Sequence, residues 1–198
     1  MWKWLIKFKI IMFMLSGPFF KTHASTELKP WIYFDLGDTI IDTKDMKKLK
    51  YFKGAKDYLS ELKRKGFHIG LITNIPETFG TDYSEKLETL KKLIHDGWID
   101  NETFDWEVFD QVILPMKNTE MKPAPTLFIK ALQSASGCPT AYIGENEKEI
   151  VAAKGHGFAT KLFNQNDHEL YVPSSQVKSF LRKEYGKTYE EECFDQVD

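Results

Sequence analysis

Short apolar runs alternate with amphipathic stretches along this chain. Trp31–Asp35, His68–Thr73, Phe109–Leu114, Thr140–Ile143 and Phe158–Phe163 are compact apolar segments closed by small or polar residues. Such runs read as buried strands. Between them, apolar residues return every three or four positions. Ala55, Leu59 and Leu62 share one helical face, and Gly66 supplies a stop. Asp82 followed by Glu85 opens a second helix, with Tyr83, Leu87, Leu90 and Ile94 as its apolar face and Gly97 after its end. Pro125 suits a first helical position, ahead of Phe128, Ala131, Leu132 and Ala135. Glu147–Lys154 predicts a fourth helix, ended by Gly155-His156-Gly157, and Ser174–Tyr185 a fifth. Strict alternation predicts an α/β fold of three layers, a parallel five-stranded sheet with helices on both faces. Asp96–Asp110, rich in aromatic residues, is expected to pack against the sheet edge; a lid is the alternative. The acidic stretch from about 186 reads as a loose tail.

The N-terminus breaks this pattern. Lys3, Lys7 and Lys9 precede a nearly all-apolar run, Ile10 to Phe20, and small residues follow at Ala24-Ser25. A charged start, a short apolar middle and a small-residue site describe a secretory signal. Residues 1–24 therefore read as a signal peptide and 25–198 as one domain, exported to the periplasm or secreted. The apolar run is too short for a membrane span, which takes ~20 residues; an uncleaved amphipathic anchor is the alternative. The 198-residue chain has a formal charge of −2, and losing the four lysines of residues 1–24 leaves −6. An acidic body has no general attraction for nucleic acid. The lysines from Lys44 to Lys53 read as a solvated face. The two cysteines, Cys138 and Cys193, lack any zinc spacing. Export would allow them to pair; the plainer reading is one semi-buried thiol and one in a mobile tail.

Chemistry gathers at the strand ends. The first strand closes on Asp35, Gly37, Asp38 and Thr39, and the second on Thr73 and Asn74. Lys122 follows the third, and the fourth closes on Gly144 and Glu145, with Glu149 four residues on. In an open α/β sheet, ligands bind beyond the carboxyl ends of the strands. Each residue also has a plain reading. Thr73 and Asn74 suit turns, Glu145 and Glu149 suit a helix N-terminus, and Lys122 suits a surface.

Taken in order, these residues resemble the haloacid dehalogenase superfamily, over about Trp31 to Phe163. The resemblance implies a Rossmann-like phosphatase fold with little or no cap. It implies that Asp35 attacks phosphorus to form an aspartyl-phosphate that water hydrolyses. Lys122 would pair with Asp35 and with the phosphate. Asp38, Thr39, Thr73, Asn74 and Lys122 would make up the substrate-binding set. Mg2+ would be held by Asp35, the Gly37 carbonyl, Glu145 and Glu149, hard oxygen donors that suit this ion. The ion matters because a dianionic ester repels a carboxylate nucleophile.

Two departures stand out. The family's phosphatases carry an acid-base Asp two residues after the nucleophile, where this chain has Gly37. Losing such a group costs ~10²–10⁴-fold. Glu145 also replaces the usual Asp, pushing its carboxylate further into the site. The first reading is a magnesium-dependent phosphoric monoester hydrolase acting on a phosphorylated substrate, small or large. The alternatives are a non-catalytic binding protein of the same fold and a metal-free dehalogenase-type hydrolase. Between Asp35 and Thr73 the sequence shows only a short loop and one helix. An open site of that kind favours a bulky substrate or an oligomer that covers it.

Overall fold

The computed structural model describes residues 28–167, 170–186 and 191–198. The predicted signal segment, residues 1–24, lies outside the described residues. Strand β1 (Trp31–Phe34) is central. On one side it pairs in parallel with β4 (His68–Ile72), which pairs with β5 (Gln111–Ile113). On the other side lie β6 (Thr140–Gly144) and then β7 (Ala159–Leu162), also parallel. The order is β5-β4-β1-β6-β7. The chain thus builds outward through β4 and β5, then crosses back to the far side of β1. That reversal puts a crevice between the ends of β1 and β6.

Alternation along β1 sorts the core into two layers. Ile32 and Phe34 face one side with Leu59 and Leu62 of α1 (Ala55–Arg64), Leu90 and Ile94 of α2 (Tyr83–Gly97), and Leu181 of α5 (Val177–Tyr185). Tyr33 faces the other side with Leu127, Phe128 and Ala131 of α3 (Pro125–Ala135) and Ala153 of α4 (Glu147–Gly155). Each fully buried leucine contributes about 1.5–3 kcal/mol. Among the described residues, no helix is long and apolar enough to cross a membrane.

Several elements differ from expectation. The interval after β1 holds a small antiparallel hairpin, β2 (Ile41–Asp42) and β3 (Lys50–Tyr51), as well as α1. Two-residue strands are too short to leave an alternation in the sequence. Helix α2 starts as predicted, with Asp82 accepting from the Glu85 amide at 2.9 Å, but Glu85 reaches back to Thr81 instead of Asp82. Its buried face is Lys86, Leu90, Ile94 and Gly97, whereas Tyr83 is exposed. Lys86 is tolerated there because its ammonium donates to the Pro76 and Glu77 carbonyls at 3.1 and 3.3 Å.

The segment from Asp96 to Asp110 packs chiefly on the hairpin. Phe104 stacks on Tyr51, and the Asp105 amide donates to the Tyr51 hydroxyl at 2.8 Å. The Leu49 amide donates to the Gly97 carbonyl at 2.8 Å. The tail is not loose where it is described. Cys193, Phe194 and Val197 are buried, and Cys193 forms a disulfide with Cys138, with Cα atoms 5.7 Å apart. The two-thiol reading is therefore corrected: the apolar spacing of Cys193, Phe194 and Val197 docks the end of the chain against the core.

Candidate active site

Asp35 follows the last residue of β1, and its amide donates to the Ile143 carbonyl of β6 at 2.9 Å. This bond carries the pairing one step past the strand and holds the carboxylate in the crevice. Lys122 reaches it from the loop before α3. The ammonium sits 2.7 Å from Asp35 Oδ1, 2.8 Å from Glu149 Oε2 and 2.7 Å from the Tyr142 hydroxyl. Three donors thus meet three oxygens, and the lysine side chain is only 1% exposed. Tyr142 in turn donates to Glu149 Oε2 at 2.7 Å. Burial and the Asp35 and Glu149 charges push the Tyr142 hydroxyl well above its ordinary value, so it remains a donor. The side chain needs space at the next inward position of β6. A β-carbon at Gly144 would lie 3.0 Å from the Tyr142 hydroxyl, so glycine leaves room for this contact.

Asn74 fixes the loop that presents the lysine. Its amide nitrogen donates to the Lys122 carbonyl at 3.0 Å, and its amide oxygen accepts the Lys122 N–H at 2.7 Å. Such a two-way bond makes a side chain act as a strand partner.

The other carboxylate of the crevice is Glu145. It accepts from the Thr39 hydroxyl at 3.0 Å. Burial, the Asp35 charge and a hydrogen bond to Asp35 push the Glu145 carboxyl up to about 7. Lys122 pairs with Asp35 and Glu149. No group of three acidic, His or Cys side chains able to hold a metal is formed among the described residues. The donors present do fit magnesium, which is held by one or two carboxylates and keeps several waters. They are Asp35, Glu145 and the backbone of Gly37, two residues after Asp35. A cation between Asp35 and Glu145 would oppose the burial and the Asp35 charge that raise Glu145.

The predicted residues do converge on one rim, but in different postures. Asp38 has a positive φ of 50°, and its carboxylate accepts the Thr43 amide at 3.1 Å. Thr39 is fully buried; its hydroxyl serves Glu145, and its carbonyl accepts from Tyr171 at 2.6 Å. Asn74 is occupied by Lys122. The structure therefore gives Asp38, Thr39 and Asn74 protein partners, where direct substrate contact was expected. Thr73 is nearly buried, and its hydroxyl makes no hydrogen bond among the described residues. Glu149 faces Lys122 and Tyr142 and not Glu145, which sets it apart from the expected metal ligands. Gly37 has room for a side chain: the nearest atom to an added β-carbon is Thr43 Cγ2 at 3.4 Å.

Sequence reasoning missed Tyr142 and Tyr171. Both look like core aromatics from their surroundings. The usable signal was Tyr142 two residues before Gly144, on the same face of a strand that ends in the site.

No protein-family model matches this sequence, and no curated protein matches it in sequence. Solved structures do match the fold. An uncharacterized protein from Listeria monocytogenes serotype 4b is 16% identical over 78% of this chain and 99% of its own, with a TM-score of 0.51. A D,D-heptose 1.7-bisphosphate phosphatase from B. bronchiseptica, solved with magnesium and phosphate, is 13% identical over 76% of this chain and 98% of its own, with a TM-score of 0.50. A HAD-superfamily hydrolase from Ehrlichia chaffeensis is 14% identical over 77% and 95%, with a TM-score of 0.49. At these identities the likeness is one of fold. What the chain shares with them is a parallel α/β sheet flanked by helices.

Proposed function

We propose that this protein is a magnesium-dependent phosphatase that works through an aspartyl-phosphate on Asp35. The observation that carries this reading is the buried Lys122 ammonium, 2.7 Å from Asp35 Oδ1 at the end of the central strand. A strand-end carboxylate held by one lysine and flanked by Glu145 is equipped to attack an electrophile. Asp35 forms a bond to phosphorus as the ester P–O bond breaks, and water later hydrolyses the acyl phosphate. Lys122 offsets charge on the nucleophile and on the phosphoryl oxygens. Thr73 offers its hydroxyl to a phosphate oxygen. Asn74 positions Lys122 through its backbone, and Asp38 and Thr39 shape the turn that carries Gly37 and support Glu145. Bound between Asp35 and Glu145, magnesium would supply positive charge against the phosphate dianion.

Retained Glu145 beside Asp35 weighs against the metal-free dehalogenase reading. Gly37 keeps a binding role without turnover as the second reading, since no acid stands where one would move a proton. Export is part of the proposal: a disulfide suits an oxidising compartment, in keeping with the N-terminal pattern.

The test is a screen of phosphate esters with the purified protein, with and without magnesium. Turnover is expected with magnesium, lost on chelation and restored on its return. Asp35→Asn should fall to background with an unchanged circular dichroism spectrum. Hydrolysis at the parent rate by Asp35→Asn would contradict the assignment.

A further inference from the structure

A cleft of about 230 Å³ opens beside this site. It is smaller than the ~300–1,000 Å³ typical of sites for drug-sized ligands. Gly37, Thr73 and Asn74, the residues around the proposed phosphate position, line it. Its walls come from Ile41 and Met46 of the hairpin, Phe79 beyond β4, and Leu90 and Leu93 of α2. Among the described residues, no charged side chain lines it. Apart from Thr43, Thr73 and Asn74, the side chains of its lining are apolar. A sugar or nucleoside in such walls would lose its hydrogen bonds to water and regain few.

Gly37 makes an independent argument. It offers no proton to a departing oxygen, and the neighbouring Asp38 carboxylate is turned to the Thr43 amide. With neither residue giving a proton, the leaving groups that depart most readily are those stable as anions. Phenols ionise near ~10 and alkyl alcohols only at far higher pH, so a phenolate leaves far more readily.

We propose that the substrates are aryl phosphates, with the ring in this apolar cleft and the phosphate facing Asp35. The inference rests on the phosphatase reading above. The Asp35 oxygen bonds to phosphorus, the P–O(aryl) bond breaks, and its electron pair leaves with the phenolate. The phenolate takes a proton from water. A second water then cleaves the aspartyl-phosphate, releasing inorganic phosphate and restoring Asp35.

The cleft is tested by calorimetry on the full chain with magnesium, using two phosphonates that cannot be hydrolysed. Naphthylmethylphosphonate should bind at least about tenfold tighter than methylphosphonate, because only the former fills the cleft. Leu93→Asp and Met46→Glu should each shrink that ratio to within about threefold. Leu93 and Met46 are 38% and 46% exposed, so both variants keep the core intact. Equal affinities in the parent, or a ratio that survives both substitutions, would overturn the proposal. Acetyl phosphate separates the two readings, since it has a good leaving group and no ring. Its turnover without an affinity ratio rejects the cleft alone. An affinity ratio without any turnover rejects the catalytic reading and upholds the cleft.

Discussion

Tyr142 is the residue on which the buried charge cluster turns. Its hydroxyl accepts from Lys122 and donates to Glu149, both at 2.7 Å. Tyr142→Phe would leave one lysine N–H without an acceptor and one carboxylate lone pair without a donor. Unsatisfied buried groups cost about 1–3 kcal/mol each. The variant is expected to melt at lower temperature and to lose about tenfold in kcat, the size of a 1.4 kcal/mol loss at the transition state. Melting curves and steady-state kinetics check both; wild-type kcat would contradict a positioning role for Tyr142. The strand-end residues around it were legible because each polar group stands where an apolar run stops. Tyr142 was not, because a tyrosine inside an apolar strand has the same local pattern whether it serves packing or a charge network. Asp38 and Thr39 illustrate a related limit. Their order in sequence marks the turn, but the backbone conformation decides which way each side chain points, and that conformation depends on contacts with Thr43, Glu145 and Tyr171.

At the scale of elements, two tethers hold the frame that carries the site. The disulfide ties the loop before β6 to the end of the chain, across a separation of 55 residues. Closing a loop of that length restricts the unfolded chain, and such bridges contribute about 2–4 kcal/mol. Cys193→Ser is expected to lower the stability by that amount in chemical denaturation, with the parent reaching the same value under reductant. An unchanged midpoint would mean that the tail docks through Phe194 and Val197 alone. The second tether is Asp110 at the start of β5. It accepts the Ile69 amide of β4 at 2.9 Å and faces His68 and the Lys63 ammonium of α1. Burial raises its carboxyl, but hydrogen bonds from His68, Lys63 and Ile69 outweigh burial and hold it well below the ordinary carboxylate range. A lowered value means that the folded state favours the charged form. This contribution is present above the unfolded value of about 3.9 and fades as pH falls through the folded value. Asp110→Asn should therefore melt below the parent near neutral pH, with the gap closing below about pH 4. Thermal melts across that range decide it, and a gap independent of pH would contradict the account. The helices were readable in advance because their apolar periodicity spans many residues. The hairpin was not, since its pairing is fixed by the aromatic segment behind it.

For the whole molecule, topology explains why so few residues suffice. Strand β1 lies between β4 and β6, so the three loops that follow them open onto one crevice. Asp35, Thr73 and Glu145 meet there although 110 positions separate the first from the last. The parallel sheet with helices on both faces was legible from alternation, but the crossing back over β1 was not, because alternation does not fix which strands are neighbours. The central claim is that Asp35 takes the phosphoryl group, and rapid-quench mass spectrometry tests it most directly. The protein is mixed with magnesium and an aryl phosphate, quenched in acid within milliseconds, and digested. A phosphate adduct is expected on the peptide containing Asp35, removed by hydroxylamine and absent without magnesium. Steady hydrolysis of the same ester with the adduct on another residue, or with no adduct while Asp35→Asn remains active, would contradict it.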